Sequence, residues 1–403
     1  MAMLSAGHKH QKHPSLFILL LLVSFGMVSA VLFTPGLPQI AQQLAISEKA
    51  AELAMTVFLV GYAFGFLPYG PLSDRFGRKK TAYLGISIAI LGCLMILLVK
   101  QFPSFTLLLM GRLLLALGSS VGLKIAYTII GDVYKDDKAT KIISYMMMAF
   151  AIAPALAIGL GGVLTTYYGW ESCFYFQTGY SVLLLILTFY LPETSPTLDQ
   201  EGLKTRAIYR GYLEKIKDRK LLYCGLLTGC GASLYYLFAA ESPFIGIVKL
   251  ELSPEAFGLY SFIPPIGLFL GALFANLLVG KKTPLTILFF GTLLAFLLSV
   301  LMFLLFLFDA VTPWTLFLPM PLMYIGESLV YANASSLVLT HARNKSYASA
   351  TLNFLTIGLC AVSLSIFGSL PPHQPLLMPL FFTGTTLIML LLLLGLRRTL
   401  QMK

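Results

Sequence analysis

The chain has 403 residues, of which 58% are hydrophobic and 11% charged, and it carries a formal net charge of +11. Soluble domains hold about 25% charged residues, so this composition excludes an ordinary soluble enzyme or binding module and describes an integral membrane protein. The basic excess would suggest nucleic acid in a soluble chain, but here it lies in short polar segments between apolar runs, and no nucleic-acid partner is expected.

A membrane helix needs about twenty mostly apolar residues. The first such run, 15–33, follows a basic tail containing His8, His10 and His13. Val28-Ser29-Ala30 looks like a signal-peptidase site, yet the uncharged run outlasts a typical leader core and continues into Pro35 and Pro38 without a polar break. A retained first helix, entering from the cytoplasm, is therefore expected. Runs at 51–69, 81–99, 104–130, 142–167 and 172–191 complete the first half. The interval 192–220, rich in Lys and Arg from Lys204 to Lys220, reads as a cytoplasmic linker whose middle suits either a surface helix or a disordered stretch. Beyond it lie runs at 221–241, 256–279, 285–308, 314–340, 347–370 and 376–396. The expectation is thus all-α: twelve transmembrane helices, an amino-terminal six-helix bundle over 1–191 and a carboxy-terminal one over 221–403.

Basic residues collect on the cytoplasmic side of membranes. With the amino terminus inside, nearly all Lys and Arg fall in cytoplasmic segments, against Lys49, Lys100 and Lys249 outside. One miscounted span would swap every later loop, so the asymmetry supports an even number of spans and two cytoplasmic termini. Six helices, a linker and six helices is the plan of transporters built from two similar halves, with substrate near the midplane between them.

Between the second and third runs lies Gly70-Pro71-Leu72-Ser73-Asp74-Arg75-Phe76-Gly77-Arg78-Lys79-Lys80. Gly70 and Gly77 suit a tight reversal, and Asp74 stands one helical turn before Arg78. This G-x-L-x-D-R-x-G-R-K-K stretch resembles the loop signature of the major facilitator superfamily. Gly111-Arg112-Leu113 with Gly118 is similar to the family's fourth-helix pattern, and Ala153-Pro154 with Gly161-Gly162 to its fifth-helix antiporter motif. Pro35-Gly36-Leu37-Pro38, Gly169-Trp170, Leu191-Pro192-Glu193-Thr194, Ser242-Pro243-Phe244 and Phe257-Gly258-Leu259 resemble the Bcr/CflA group of drug:proton antiporters. The resemblance implies that helices one, four, seven and ten line the pathway. It also implies that Gly70, Asp74, Arg75, Gly77, Arg78 and Asp132 form a latch for the outward-facing state, and that Pro154, Gly161 and Gly162 form the antiporter motif.

A charged side chain in the hydrocarbon costs about 2.5–3.5 kcal/mol on insertion scales, so those present are functional candidates. Four lie well inside by this segmentation: Arg112 and Lys124 in helix four, Glu241 at the end of helix seven and Glu327 in helix ten. Arg112 shares a face with Ala116 and Ser119, small residues that leave space before the guanidinium; Lys124 shares one with Ser120 and Tyr127. Glu327, with Tyr331 and Asn333 near it, is placed to take and release a proton as access alternates, and Glu241 is the second acid for that task. The Bcr/CflA group usually has an acid in helix one before its L-P motif. Here that region reads Ser29-Ala30-Val31-Leu32-Phe33-Thr34, so either coupling falls to Glu327 or Glu241 or the chain is not a typical exporter of cationic drugs.

The expected function is proton-coupled export of small amphiphilic or anionic compounds by alternating access, across an inner (plasma) membrane. The alternative is an importer or exporter dedicated to a specific carboxylate or siderophore. The partners are then substrate, protons and lipid, with the chain acting as a monomer. Cys93, Cys173, Cys224, Cys230 and Cys360 lack metal-ligand spacing, and the five histidines lie in tails or loops. Neither a metal, a cofactor nor an enzymatic role is expected.

Overall fold

The computed structural model describes residues 14–134, 136–195, 214–215, 217–278, 281–339, 345–371 and 374–401, and among these every regular element is helical. Most of the proposed linker, with its surface helix, and the amino-terminal histidines lie outside the described residues.

In chain order the elements are α1 (Leu16–Val31), the short α2 (Leu37–Gln43), α3 (Glu48–Phe76), α4 (Arg78–Leu97), α5 (Phe105–Val133), α6 (Asp136–Tyr168) and α7 (Glu171–Thr188). They continue as α8 (Arg219–Pro243), α9 (Pro254–Tyr260), α10 (Ile263–Leu278), α11 (Pro284–Leu307), α12 (Pro313–Phe317), α13 (Pro319–Leu339), α14 (Lys345–Gly368) and α15 (Leu377–Gln401). Among the described residues, 9 of the helical segments are long and apolar enough to cross a membrane, and Ile152–Tyr168 is a shorter apolar helix.

Several boundaries depart from the apolar runs for local reasons. The second run extends through Pro68 and Pro71 to Phe76, and the reversal expected over the whole 70–80 stretch narrows to Gly77. Gly77 has φ +91°, a conformation that side-chain-bearing residues rarely adopt, whereas Gly70 is helical. The run 256–279 is split at Ser261–Phe262, where Pro264 and Pro265 remove two backbone donors from the start of α10. Pro319 divides the run 314–340 in the same way. Pro243 closes α8, and a wide turn over Phe244–Lys249 follows it.

Two sets of helices emerge from the packing. In the first, α5 packs on α1, α3 and α4, α1 on α6, and α4 on α7; in the second, α13 packs on α8, α10 and α11, and α8 and α11 on α15, with α14 along α8. Lipid tails give no hydrophobic drive between helices, so close backbone approach and short polar contacts carry much of the association. On the α4–α5 seam, Gly92 faces the Gly111 carbonyl and Gly118 faces the Gly85 carbonyl. On the α8–α14 seam, the Thr228 and Thr356 hydroxyls are 2.6 Å apart, and Ser233 donates to Ser363 at 3.0 Å.

The sets meet along α3 with α14 and along α6 with α9 and α10. Near the middle of the first seam, Phe64 meets Phe354 edge-on at 5.5 Å. On the second, a Cβ at Gly162 would strike the Pro254 carbonyl, and the Glu255 amide donates to Thr166 at 3.0 Å.

The α4–α5 seam gives a direct test. Gly118→Val drives two methyl groups into the α4 backbone and should destabilise the protein by about 1–3 kcal/mol. Gly131→Val, at a position where an added Cβ would meet nothing within 4 Å, should leave the thermal midpoint in detergent nearly unchanged.

Candidate functional site

Arg78 opens α4 just past the Gly77 reversal and is buried. Its Nε donates to Asp132 at 2.8 Å, and one terminal nitrogen donates to Asp74 at 3.0 Å and to the Ser73 carbonyl at 2.8 Å. Asp132 ends α5, where the helix dipole disfavours an acid, and the guanidinium compensates it. Thr194 also donates to Asp132, at 2.9 Å. Glu193 accepts from the Arg78 and Lys79 amides at 2.9 and 3.1 Å, so a carboxylate from beyond α7 satisfies the free donors at the start of α4. A Cβ at Gly77 would collide with that carboxylate. Glu193 was visible in the sequence only as part of a motif. Arg75 is exposed and lies over the Phe76 ring at 5.5 Å, and Gly70 gives Lys124 room to lie against α3.

Arg112 is fully buried, and the open space expected before its guanidinium is filled. The group lies between the rings of Phe33 and Phe58, with its central carbon 4.0 and 4.4 Å from their centroids. Its nitrogens donate to the carbonyls of Ser29 at 2.7 Å, Ala30 at 3.1 Å and Ala54 at 3.1 Å. Ser29 and Ala30 belong to the last turn of α1, whose carbonyls lose their helical partners where the chain breaks before Pro35. A cation at that carboxyl end also suits the dipole. The small neighbours Ala116 and Ser119 admitted other helices rather than a ligand.

Glu327 lies on α13 against α8, close to where the two sets meet. Its side chain keeps some accessible surface, while its Oε2 atom is buried and without a hydrogen-bond partner. Gly231 of α8 makes room for it, since a Cβ there would come within 3.0 Å of Glu327 Cγ. Tyr235, Tyr236, Tyr324 and Tyr331 lie within electrostatic reach of the carboxyl, and Tyr331 in turn reaches Tyr62 and Tyr127 across the junction. The hydroxyls of Tyr62 and Tyr235 are buried without partners. Tyr236 donates to Met27 Sδ at 3.6 Å, and Tyr331 to Asn353 at 3.4 Å. Asn333 turns away, bonding back to the Leu329 carbonyl of its own helix at 2.9 Å. Lys124 lies toward Gly70 and the field of Asp74. Sequence reasoning missed Tyr62, Tyr235, Tyr236 and Tyr324 in this cluster, although their recurrence on helices near Glu327 could have flagged them.

At the end away from Gly77, Glu241 meets Lys49 at 3.0 Å, and Lys49 meets Glu52 at 3.1 Å. Glu52 is 4% exposed and stands within hydrogen-bonding reach of Glu241. Phe367 of α14 covers the ammonium at 3.9 Å. The sequence count of four interior charges therefore omitted a fifth, Glu52. Its position one turn inside α3 hid it, although the Lys-x-x-Glu spacing is that of a helical ion pair.

A profile of the Major Facilitator Superfamily matches residues 16–364. The chain belongs to that superfamily. It is 28% identical over 333 residues to Multidrug resistance protein D of Escherichia coli (strain K12), covering 81% of this chain and 82% of that protein. It is 28% identical over 267 residues to the Bicyclomycin resistance protein homolog of Haemophilus influenzae, covering 65% of this chain and 64% of the relative. Uncharacterized transporters of two Rickettsia species are likewise matched over 65% of their length. The crystal structure of a D-xylose-proton symporter shares the fold, with a TM-score of 0.75 at 14% identity over 93% of this chain and 96% of that one.

Within this superfamily member, the Arg112 geometry separates a structural from a substrate-binding role. Arg112→Lys cannot reach three carbonyls with one ammonium, and each carbonyl left unpaired should cost about 1–3 kcal/mol. The thermal midpoint of the purified protein should therefore fall, while ligand affinity of the folded fraction stays near that of the unaltered chain. A loss of affinity at unchanged stability would return Arg112 to the pathway.

Proposed function

We propose that the chain is a proton-coupled exporter of small amphiphilic compounds, working by alternating access in an inner membrane with both termini cytoplasmic. The observation that carries the reading is Glu327, a carboxyl with a buried, unpartnered oxygen among tyrosines of the second set, one of which, Tyr331, lies within electrostatic reach of Tyr62 on the first. A lone acid in such a place is the group that a proton and a ligand can compete for. Movement of one charge down 100 mV supplies about 2.3 kcal/mol, enough to favour export against a substantial gradient. The names of the relatives, Multidrug resistance protein D and the Bicyclomycin resistance protein homolog, agree with a forgiving aromatic chamber.

Of the two substrate classes expected from sequence, the geometry favours the amphiphilic one. An anionic substrate would need a cation facing the pathway, but Arg112 is engaged by backbone carbonyls and Lys124 lies toward Gly70. The chamber offers ring faces, hydroxyls and one acid. We read the arrangement as inward-facing, since Lys49–Glu241 and Glu255–Thr166 tie the sets together at the end away from Gly77. In the outward-facing state the surface formed by Asp74, Arg78 and Asp132 would dock on the amino end of α14, with Gly161 and Gly162 holding α6 against α1 and α9.

Glu327→Gln keeps the shape and removes the titratable group. It should leave the protein folded and abolish both proton-driven accumulation of a fluorescent amphiphile in inverted vesicles and proton release on adding that compound to purified protein. Normal transport by this variant would refute the assignment of Glu327, and uptake confined to right-side-out cells would refute export.

A further inference from the structure

The Lys49–Glu52–Glu241 cluster has an unbalanced charge in a place nearly closed to water. The Lys49, Glu52 and Glu241 side chains are 11%, 5% and 10% exposed. Two carboxylates share one ammonium, whose remaining open face is covered by the Phe367 ring at 3.9 Å. Glu52 Oε1 stands 3.1 Å from the ammonium, close enough for an ion pair, yet has no hydrogen bond. A buried carboxylate is tolerated when charge and hydrogen bonds are both balanced; here one negative charge is left over. Lys49 and Glu52 come from α3, with Glu48 preceding them, and Glu241 comes from α8; among the described residues α14 adds only Phe367 to the cluster. Lys249, past α8, faces the exposed Asp309 at 3.8 Å. His373 lies outside the described residues.

We propose that Glu52 and Glu241 form a proton-binding site in the external gate, filled when the two sets of helices close together. A proton on Glu52 would let its hydroxyl donate to Glu241, leaving Glu241 as the single anion opposite Lys49. The cluster is then neutral and fully bonded. Because the site joins α3 of one set to α8 of the other, opening the gate parts the two acids, admits water and removes the need for the proton. Closure therefore takes up a proton from the external side, and low external pH favours the closed gate. This second proton site is separate from Glu327 and rests on the antiport reading only for its direction.

Spin labels at Gln42→Cys and Val248→Cys, exposed positions on opposite sides of the gate, report its opening by pulsed electron resonance in nanodiscs; the five native cysteines are buried. In the otherwise unaltered chain the long-distance population should grow as pH rises from 5 to 9, a range above the ordinary glutamate value of about 4.3. Glu52→Gln and Glu241→Gln each balance the lysine without a proton, so the gate should stay closed across that range and lose its pH response. A merely structural ion pair would change the thermal midpoint and leave the response intact. The proposal is overturned if both variants keep the response, or if the unaltered chain shows none. Glu327→Gln should retain the gate's response while losing transport, which separates failure of this inference from failure of the transport reading.

Discussion

A membrane interior leaves no water for an unpaired peptide group, so every break in a spanning helix must be answered by another part of the protein. The break after Val31 is answered by Arg112. Its guanidinium takes two carbonyls from the last turn of α1 and one from α3, and two phenyl rings close over its faces. One side chain on α5 thereby fixes the end of α1, its distance from α3 and the start of the bend that leads into α2. Planar, multiply donating and always charged, arginine suits this role better than lysine. Gln177 adds a second tie to the same turn by donating to the Ser29 hydroxyl at 2.8 Å.

This constraint explains why a charge in a membrane helix is an ambiguous signal. Sequence reasoning treats Arg112 as exceptional because insertion is costly, and that much holds. Which polar groups meet it depends on where α1 breaks, and a break is a property of packing as much as of Pro35. The long apolar helices were legible because a stretch of about twenty apolar residues follows from the bilayer itself. The loop signature was legible for the same reason that it folds: only a glycine accepts φ +91° at position 77, and only a cation beside it answers Asp132. The parts that could not be read depend on rotation about helix axes. By spacing Asn333 extends a polar stripe from Glu327, but its amide is satisfied on Leu329 within the helix. By position Glu52 is a helix-end acid in water, until α8 and α14 are packed over it.

The two ends of the protein solve one electrostatic problem in two ways. At each end a cation stands between two carboxylates: Arg78 with Asp74 and Asp132, and Lys49 with Glu52 and Glu241. At the Gly77 end all three groups lie on α3, α4 and α5, the Asp74 side chain is 56% exposed and Lys124 lies within its field, so water and further basic residues screen the carboxylates. At the other end the groups come from both sets of helices and water is almost absent. Two carboxylates are therefore easy to hold at one end and demanding at the other.

The alternating access proposed for this chain would draw on that contrast. If the helix sets rock so that α14 covers the Gly77 end, Asp74 loses its water just as Glu52 and Glu241 regain theirs. The carboxylate short of water would then be at the internal gate rather than the external one. A proton that neutralises it would be favoured at whichever end is shut, and Glu327, between the two, would be exposed to the side that is open. Under this reading the direction of the cycle is set by which side supplies protons more readily, and the tyrosine chamber only has to hold its ligand less well once Glu327 is protonated.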